Sequence, residues 1–213
     1  FLDYAMAVHD ALGDRVTSWT TLNEPWCSSF LSYIGGEHAP GRQDPAAGLA
    51  AGHHLLLGHG MVVKELRARD PKLSLGITLN LTVADAADPN DAGDRDAARR
   101  IDGQFNRFFL DPIFRGEYPA DVLDDVAGLG FENVVQPGDL DVISSPIDML
   151  GVNYYHGELV GVRPANGDTK PAAAPSERPK RSPFPAAEGV HWHKRDLPTT
   201  AMGWEVQPEG LTR

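Results

Sequence analysis

Cysteine is nearly missing from this chain. One residue, Cys27, among 213 excludes an internal disulfide and a multi-cysteine metal site. That fits a reducing compartment, so a cytoplasmic location is the expectation. Basic residues are also short: 19 Lys+Arg against 30 Asp+Glu leave a formal charge of −11. This argues against non-specific binding to nucleic acid or an anionic membrane, both of which need basic patches. Long apolar runs are missing too. The best, Leu55 to Val63, is broken by Gly58, His59 and Gly60 and is far shorter than a membrane span. The first residue is Phe1 rather than Met, with no visible signal peptide, so the chain is expected to start within a longer protein. There is no internal repeat, no phosphate-cradling Gly-rich loop and no Gly-x-Ser-x-Gly. What remains is globular composition, 41% apolar and 23% charged, in one domain or a large piece of one.

The pattern alternates strand and helix. Arg15 to Leu22 is rich in β-formers and is stopped by Pro25. A Gly- and Pro-rich loop follows, Ile34 to Asp44. Asp44-Pro45 then predicts an N-cap with proline in the first helical position. The helix it opens is predicted to reach Arg69, with Leu49, His53, Leu56, Gly60, Val63 and Leu66 on one stripe. Leu73 to Leu81 reads as a buried strand, and Ala92 to Phe109 as a helix ended by Pro112 and Gly116. Ala120 to Ala127 reads as a short helix, and Ile147 to Tyr155 as a third strand. Strands separated by such helices imply parallel pairing through right-handed crossovers, in a barrel or a doubly wound sheet. The Pro-rich stretch at about 163–200 is expected to be a long irregular loop.

In parallel α/β folds, chemistry collects at the carboxyl ends of strands. Those ends carry Asn23-Glu24, Asn80 and Asn153-Tyr154-Tyr155. Amides, a carboxylate and phenols suit a neutral polyol such as a sugar. Pro25 is expected to hold Glu24 extended. With Trp26 as an apolar wall, desolvation would raise the Glu24 pKa and leave a protonated general acid. The other reading is a salt-bridged or solvent-facing Glu. His53, His54 and His59 are separated by one, five and six positions, which does not match the i, i+4 spacing of helical zinc sites. They are expected to be packed or hydrogen-bonded. His191 and His193 are expected at the surface, Cys27 as a small packing residue, and the Asn80-Leu81-Thr82 sequon unmodified because it ends a strand. No metal or cofactor is implied.

Thr21-Leu22-Asn23-Glu24-Pro25-Trp26 resembles the acid/base strand of family 1 glycoside hydrolases, the β-glucosidase family. The resemblance continues in order through Gly36-Glu37-His38-Ala39-Pro40-Gly41, His53-His54-Leu55-Leu56-Leu57, Asn106-Arg107-Phe108-Phe109-Leu110-Asp111-Pro112 and Gly116-Glu117-Tyr118-Pro119. It goes on through Gly151-Val152-Asn153-Tyr154-Tyr155, Met202-Gly203-Trp204-Glu205 and Pro208-Glu209-Gly210-Leu211. It implies part of a (β/α)8 TIM barrel with parallel strands and outer helices, from about the fourth to the sixth strand and the approach to the seventh. It also implies a retaining β-glucosidase that uses two carboxylates. Glu24 would be the acid/base, Asn23 would bind the sugar 2-hydroxyl, and Tyr155 would hold the nucleophile ionised. Asn153 matches an active-centre position, and Asn80 would orient Glu24. Trp26 and Trp204 would flank the leaving group, where a ring can stack on a sugar face. Partners would be small β-glucosides such as cellobiose or aryl glucosides, in a bacterial source.

The family's Thr-Glu-Asn-Gly-like nucleophile segment does not occur in these residues, and Glu205 belongs to a different block. The expectation is therefore a polypeptide that needs the missing parts of the barrel for closure and is inactive and poorly stable alone. The rival is a non-catalytic sugar-binding or scaffolding remnant of the same fold.

Overall fold

The structure is a computed structural model that describes residues 1–164 and 181–213. In chain order its main elements are α1 (Leu2–Leu12), β1 (Ser18–Asn23), a π-helical segment (Cys27–Gly35), α2 (Pro45–Arg69), β2 (Ser74–Leu81) and β3 (Ala84–Ala86). There follow α3 (Ala92–Asp102), a π turn (Gly103–Arg107), α4 (Phe108–Arg115), α5 (Ala120–Asp125), α6 (Asp139–Ile143), β4 (Met149–Tyr154), β5 (Glu158–Gly161) and β6 (His191–His193).

The central sheet runs β1-β2-β4, all parallel, as the strand–helix alternation predicts. Its middle strand, SLGITLNL, is apolar because helices and partner strands enclose it; Leu75, Ile77 and Leu79 are buried. Thr78 pairs with Asn23 and Gly151, and Asn80 with Asn153, so the carboxyl ends of the three strands lie side by side. A register shift between Thr20 and Asn23 bends β1 just before that rim.

Helix α2 begins as predicted, with the Asp44 side chain accepting from the Ala47 N–H at 3.1 Å and Pro45 in the first turn. All six residues of its predicted stripe are buried. Gly60 is required by close approach: a Cβ there would lie 2.1 Å from the Val142 carbonyl oxygen on α6. His53 donates from Nε2 to Asp139 Oδ2 at 3.0 Å and its Nδ1 meets Tyr118 Oη at 2.9 Å, and His59 Nδ1 meets Thr21 Oγ1 at 2.7 Å. Both are packed, hydrogen-bonded residues, and no metal-holding cluster exists among the described residues. No helix is long and apolar enough to cross a membrane.

Two expectations fail locally. Pro112 does not end its helix; α4 runs on to Arg115, and Gly116, with φ +68°, closes it. The buried faces of Phe108, Phe109 and Ile113 hold that turn despite the one backbone bond proline cannot donate. The Pro-rich region is also not wholly irregular. Residues 165–180 of that loop lie outside the described residues, but β6 pairs antiparallel with β5, and β5 pairs parallel with β3. His191 and His193 therefore sit in a strand, partly buried, with His193 Nε2 at 3.1 Å from the Arg163 carbonyl oxygen. Asp94 anchors this small sheet by accepting from the Val162 and Asp88 N–H groups at 2.8 and 3.0 Å.

Candidate active site

The site grows out of one sharp turn. The chain passes from β1 into the helix that begins at Pro25 through a single residue, Glu24. Its N–H donates to the Thr78 carbonyl at 2.9 Å, and its own carbonyl accepts from the Cys27 N–H at 3.0 Å. Meeting both bonds puts Glu24 at φ +51°, in the left-handed region, not in the extended conformation expected before proline. Such backbone is costly for a non-glycine residue and gathers at functional sites.

The turn delivers the Glu24 carboxylate to the rim of the sheet. Tyr155 Oη donates to Oε1 at 2.7 Å, and Asn153 Nδ2 donates to the same oxygen at 2.7 Å. Asn153 Nδ2 also reaches Asn23 Oδ1 at 3.1 Å, which ties the ends of β1 and β4 together. The second oxygen, Oε2, accepts from the Cys27 thiol at 3.3 Å. Partial burial pushes the carboxyl pKa up, but the donors Tyr155, Asn153 and Cys27 outweigh it, and the net direction is down. The raised pKa expected from an apolar wall is thus corrected: in this arrangement Glu24 favours the carboxylate. Burial, with Glu24 adding to it, pushes the Cys27 thiol up to about 12, so it stays a protonated donor.

Of the predicted residues, Asn23, Glu24, Asn153 and Tyr155 form one hydrogen-bonded cluster. Trp204 stands beside it, 39% exposed, its ring 5.4 Å from that of Tyr155 and 5.4 Å from that of His156. Asn80 is only 5% exposed, which closes its sequon to modification. It makes no hydrogen bond to Glu24; its Nδ2 lies 3.7 Å from Cys27 Sγ. Trp26 is also corrected. It is 6% exposed, and its ring packs on Phe30, Phe105 and Phe184 beneath the site, with no face free for stacking. Glu205 is structural: its Oε1 accepts from the Arg195 and Leu197 N–H groups at 2.7 and 3.3 Å. Sequence reasoning missed Cys27. The available signal was its place three residues after Glu24, one helical turn on.

Comparison with known proteins places these observations. The sequence profile described as Glycosyl hydrolase family 1 matches residues 1–213. A bifunctional β-D-glucosidase/β-D-fucosidase of Bifidobacterium breve is 42% identical over 98% of this chain and 43% of its own length. The crystal structure of a psychrophilic β-glucosidase from Micrococcus antarcticus superposes with a TM-score of 0.93 at 53% identity, over 99% of this chain and 45% of that one. A Thermotoga maritima family 1 glycoside hydrolase, complexed with a cyclophellitol analogue described as a transition-state mimic, gives a TM-score of 0.76 at 35% identity over 98% and 42%. The chain thus spans less than half the length of these relatives.

Proposed function

We propose, from the premise that the chain belongs to glycosyl hydrolase family 1, that it supplies the acid/base half of a retaining β-glucosidase active site. The fold is part of a (β/α)8 barrel, and such barrels carry their chemistry at the carboxyl rim of the strands. The observation that supports the reading best is the Glu24 carboxylate at that rim, bonded to Asn153 and Tyr155 and next to Asn23.

In the proposed reaction a second carboxylate, not among these 213 residues, attacks the anomeric carbon while Glu24 protonates the departing oxygen. In retaining enzymes the two carboxyl groups stand roughly 5–5.5 Å apart. A like charge at that distance raises the Glu24 pKa and supplies the proton that the hydrogen bonds alone would not keep. Once the nucleophile is esterified its charge is gone, the donors again favour the anion, and Glu24 is ready as the base that activates water. Asn23 binds the sugar 2-hydroxyl, and Trp204 offers a face to the leaving group. Asn153 and Tyr155 hold the Glu24 carboxylate, Tyr155 thus differing from the nucleophile-supporting role that the family resemblance implies. The substrates are terminal β-glucosides, cellobiose and aryl glucosides among them. The setting is a reducing compartment such as the cytoplasm, consistent with the unpaired Cys27. The 213-residue polypeptide alone is inactive.

The test uses the complete protein. Glu24→Ala should slow hydrolysis of glucosides with poor leaving groups by about 10²–10⁴-fold, the usual worth of a general acid. Azide should restore turnover of activated aryl glucosides. Unchanged hydrolysis would remove Glu24 from the role, and a complete protein with no turnover but retained sugar binding would favour the non-catalytic reading.

A further inference from the structure

The thiol of Cys27 lies between two polar groups. On one side the Asn80 amide points at the sulfur, with Nδ2 to Sγ 3.7 Å; on the other the sulfur points at Glu24 Oε2, 3.3 Å away. Asn80 comes from the centre of the sheet, in register with Asn153, which holds the other carboxylate oxygen. Three strands and the helix after β1 therefore converge on one carboxyl group.

We propose that Cys27 and Asn80 form a positioning relay for the acid/base carboxyl: Asn80 donates to the sulfur, and the thiol hydrogen goes to Oε2. The inference rests on the acid/base reading of Glu24. A carboxylate gripped on one oxygen can still swing about that contact. Tyr155 and Asn153 both act on Oε1, so without Cys27 the Oε2 atom has no partner among the described residues. The amide occupies the weak acceptor side of the sulfur, which leaves its S–H directed at the carboxylate. Asn80 is nearly fully buried, so its amide direction is set by packing. The titratable side chains that reach Glu24 among the described residues are Tyr155 and Cys27, and Asn23, Asn80 and Asn153 add no charge.

A donor to the charged form favours it, so deleting the donor raises the Glu24 pKa. A general acid works while protonated, and its loss sets the alkaline limb of kcat/KM. In the complete protein, Cys27→Val should therefore move that limb upward by a few tenths of a pH unit. It should also reduce kcat/KM for alkyl glucosides by about 3–10-fold, the net worth of one ordinary hydrogen bond. Dinitrophenyl glucosides, whose leaving group needs no proton, should change little in the glycosylation step. Asn80→Ala should act in the same direction but less. Cys27→Ser, whose hydroxyl is a stronger donor than the thiol, should move the limb below its original position; where Cys27→Val does not fold, the direction of that Ser shift is the deciding measurement.

A pH limb that stays put in every Cys27 variant that folds overturns the relay. Glu24→Gln in the same series separates the two levels. If it abolishes hydrolysis of alkyl glucosides while the Cys27 variants behave as wild type, the relay fails and the catalytic reading stands. If Glu24→Gln is fully active, the catalytic reading itself fails.

Discussion

Glu24 combines a strained backbone with a well-satisfied side chain. Its φ of +51° is set by two backbone bonds to Thr78 and Cys27, and its carboxylate accepts from three side chains. An L-residue in the left-handed region costs about 1–2 kcal/mol, a penalty that glycine avoids. Glu24→Gly should therefore be more stable than Glu24→Ala by about 1 kcal/mol, once glycine's greater unfolded-state entropy is counted. Thermal denaturation of both variants in the complete protein checks this, and equal midpoints would mean that the turn is unstrained. Both should lack acid/base activity, so stability and activity part at this position. Tyr155→Phe removes a donor to Oε1 and should also raise the pH at which acid catalysis fades, read from the alkaline limb of kcat/KM. The sequence located Glu24, Asn23, Asn153 and Tyr155 through strand ends and family motifs. It misjudged Trp26, because adjacency along the chain does not reveal that a residue one step into a helix points down into Phe30, Phe105 and Phe184.

At the scale of elements, α2 carries the most legible sequence and the clearest liabilities. Its Asp44 cap and buried stripe follow from capping preference and helical period, both local properties. Gly60→Ala should destabilise by about 1–3 kcal/mol, because a Cβ there overpacks against the Val142 carbonyl on α6 and outweighs alanine's better helix propensity. Chemical denaturation of the complete protein measures that loss. Burial lowers the His59 pKa to about 4, while the unfolded chain titrates near 6.5. Between those values the unfolded state binds the proton and the native state does not, so stability falls as pH drops from about 6.5 to 4. His53 shifts in the same direction, chiefly by burial against the opposing pull of Asp139. His59→Gln should flatten this acid slope, seen as a smaller change in denaturation midpoint between pH 7 and 4.5; an unaltered slope would assign it elsewhere. The elements that were hard to read are those stabilised by distant chain. Helix α4 passes through Pro112 because Phe108, Phe109 and Ile113 are buried, and β6 forms because β5 offers it an edge.

For the whole molecule, the open sheet decides behaviour. β2 has a strand on either side, whereas β1 and β4 each have one partner among the described residues. Unpaired edges beside exposed apolar groups such as Tyr4, Val152 and Leu211 are templates for association. The 213-residue polypeptide expressed alone should therefore elute as large or mixed assemblies and show no β-glucosidase turnover. A soluble, active monomer by size exclusion and aryl-glucoside assay would contradict both halves of that expectation.

Length, hydrophobic period, capping residues and ordered motifs determined the parallel α/β architecture, the main helices and the strand ends that bear Asn23, Glu24, Asn153 and Tyr155. These signals are local or repeat along the chain, so they survive in one dimension. Tertiary structure decided the left-handed turn at Glu24, the burial of Trp26, the direction of the Glu24 pKa and the contact from Asn80 through Cys27. Each of those depends on groups that only the packing of separate strands and helices brings within a few ångströms.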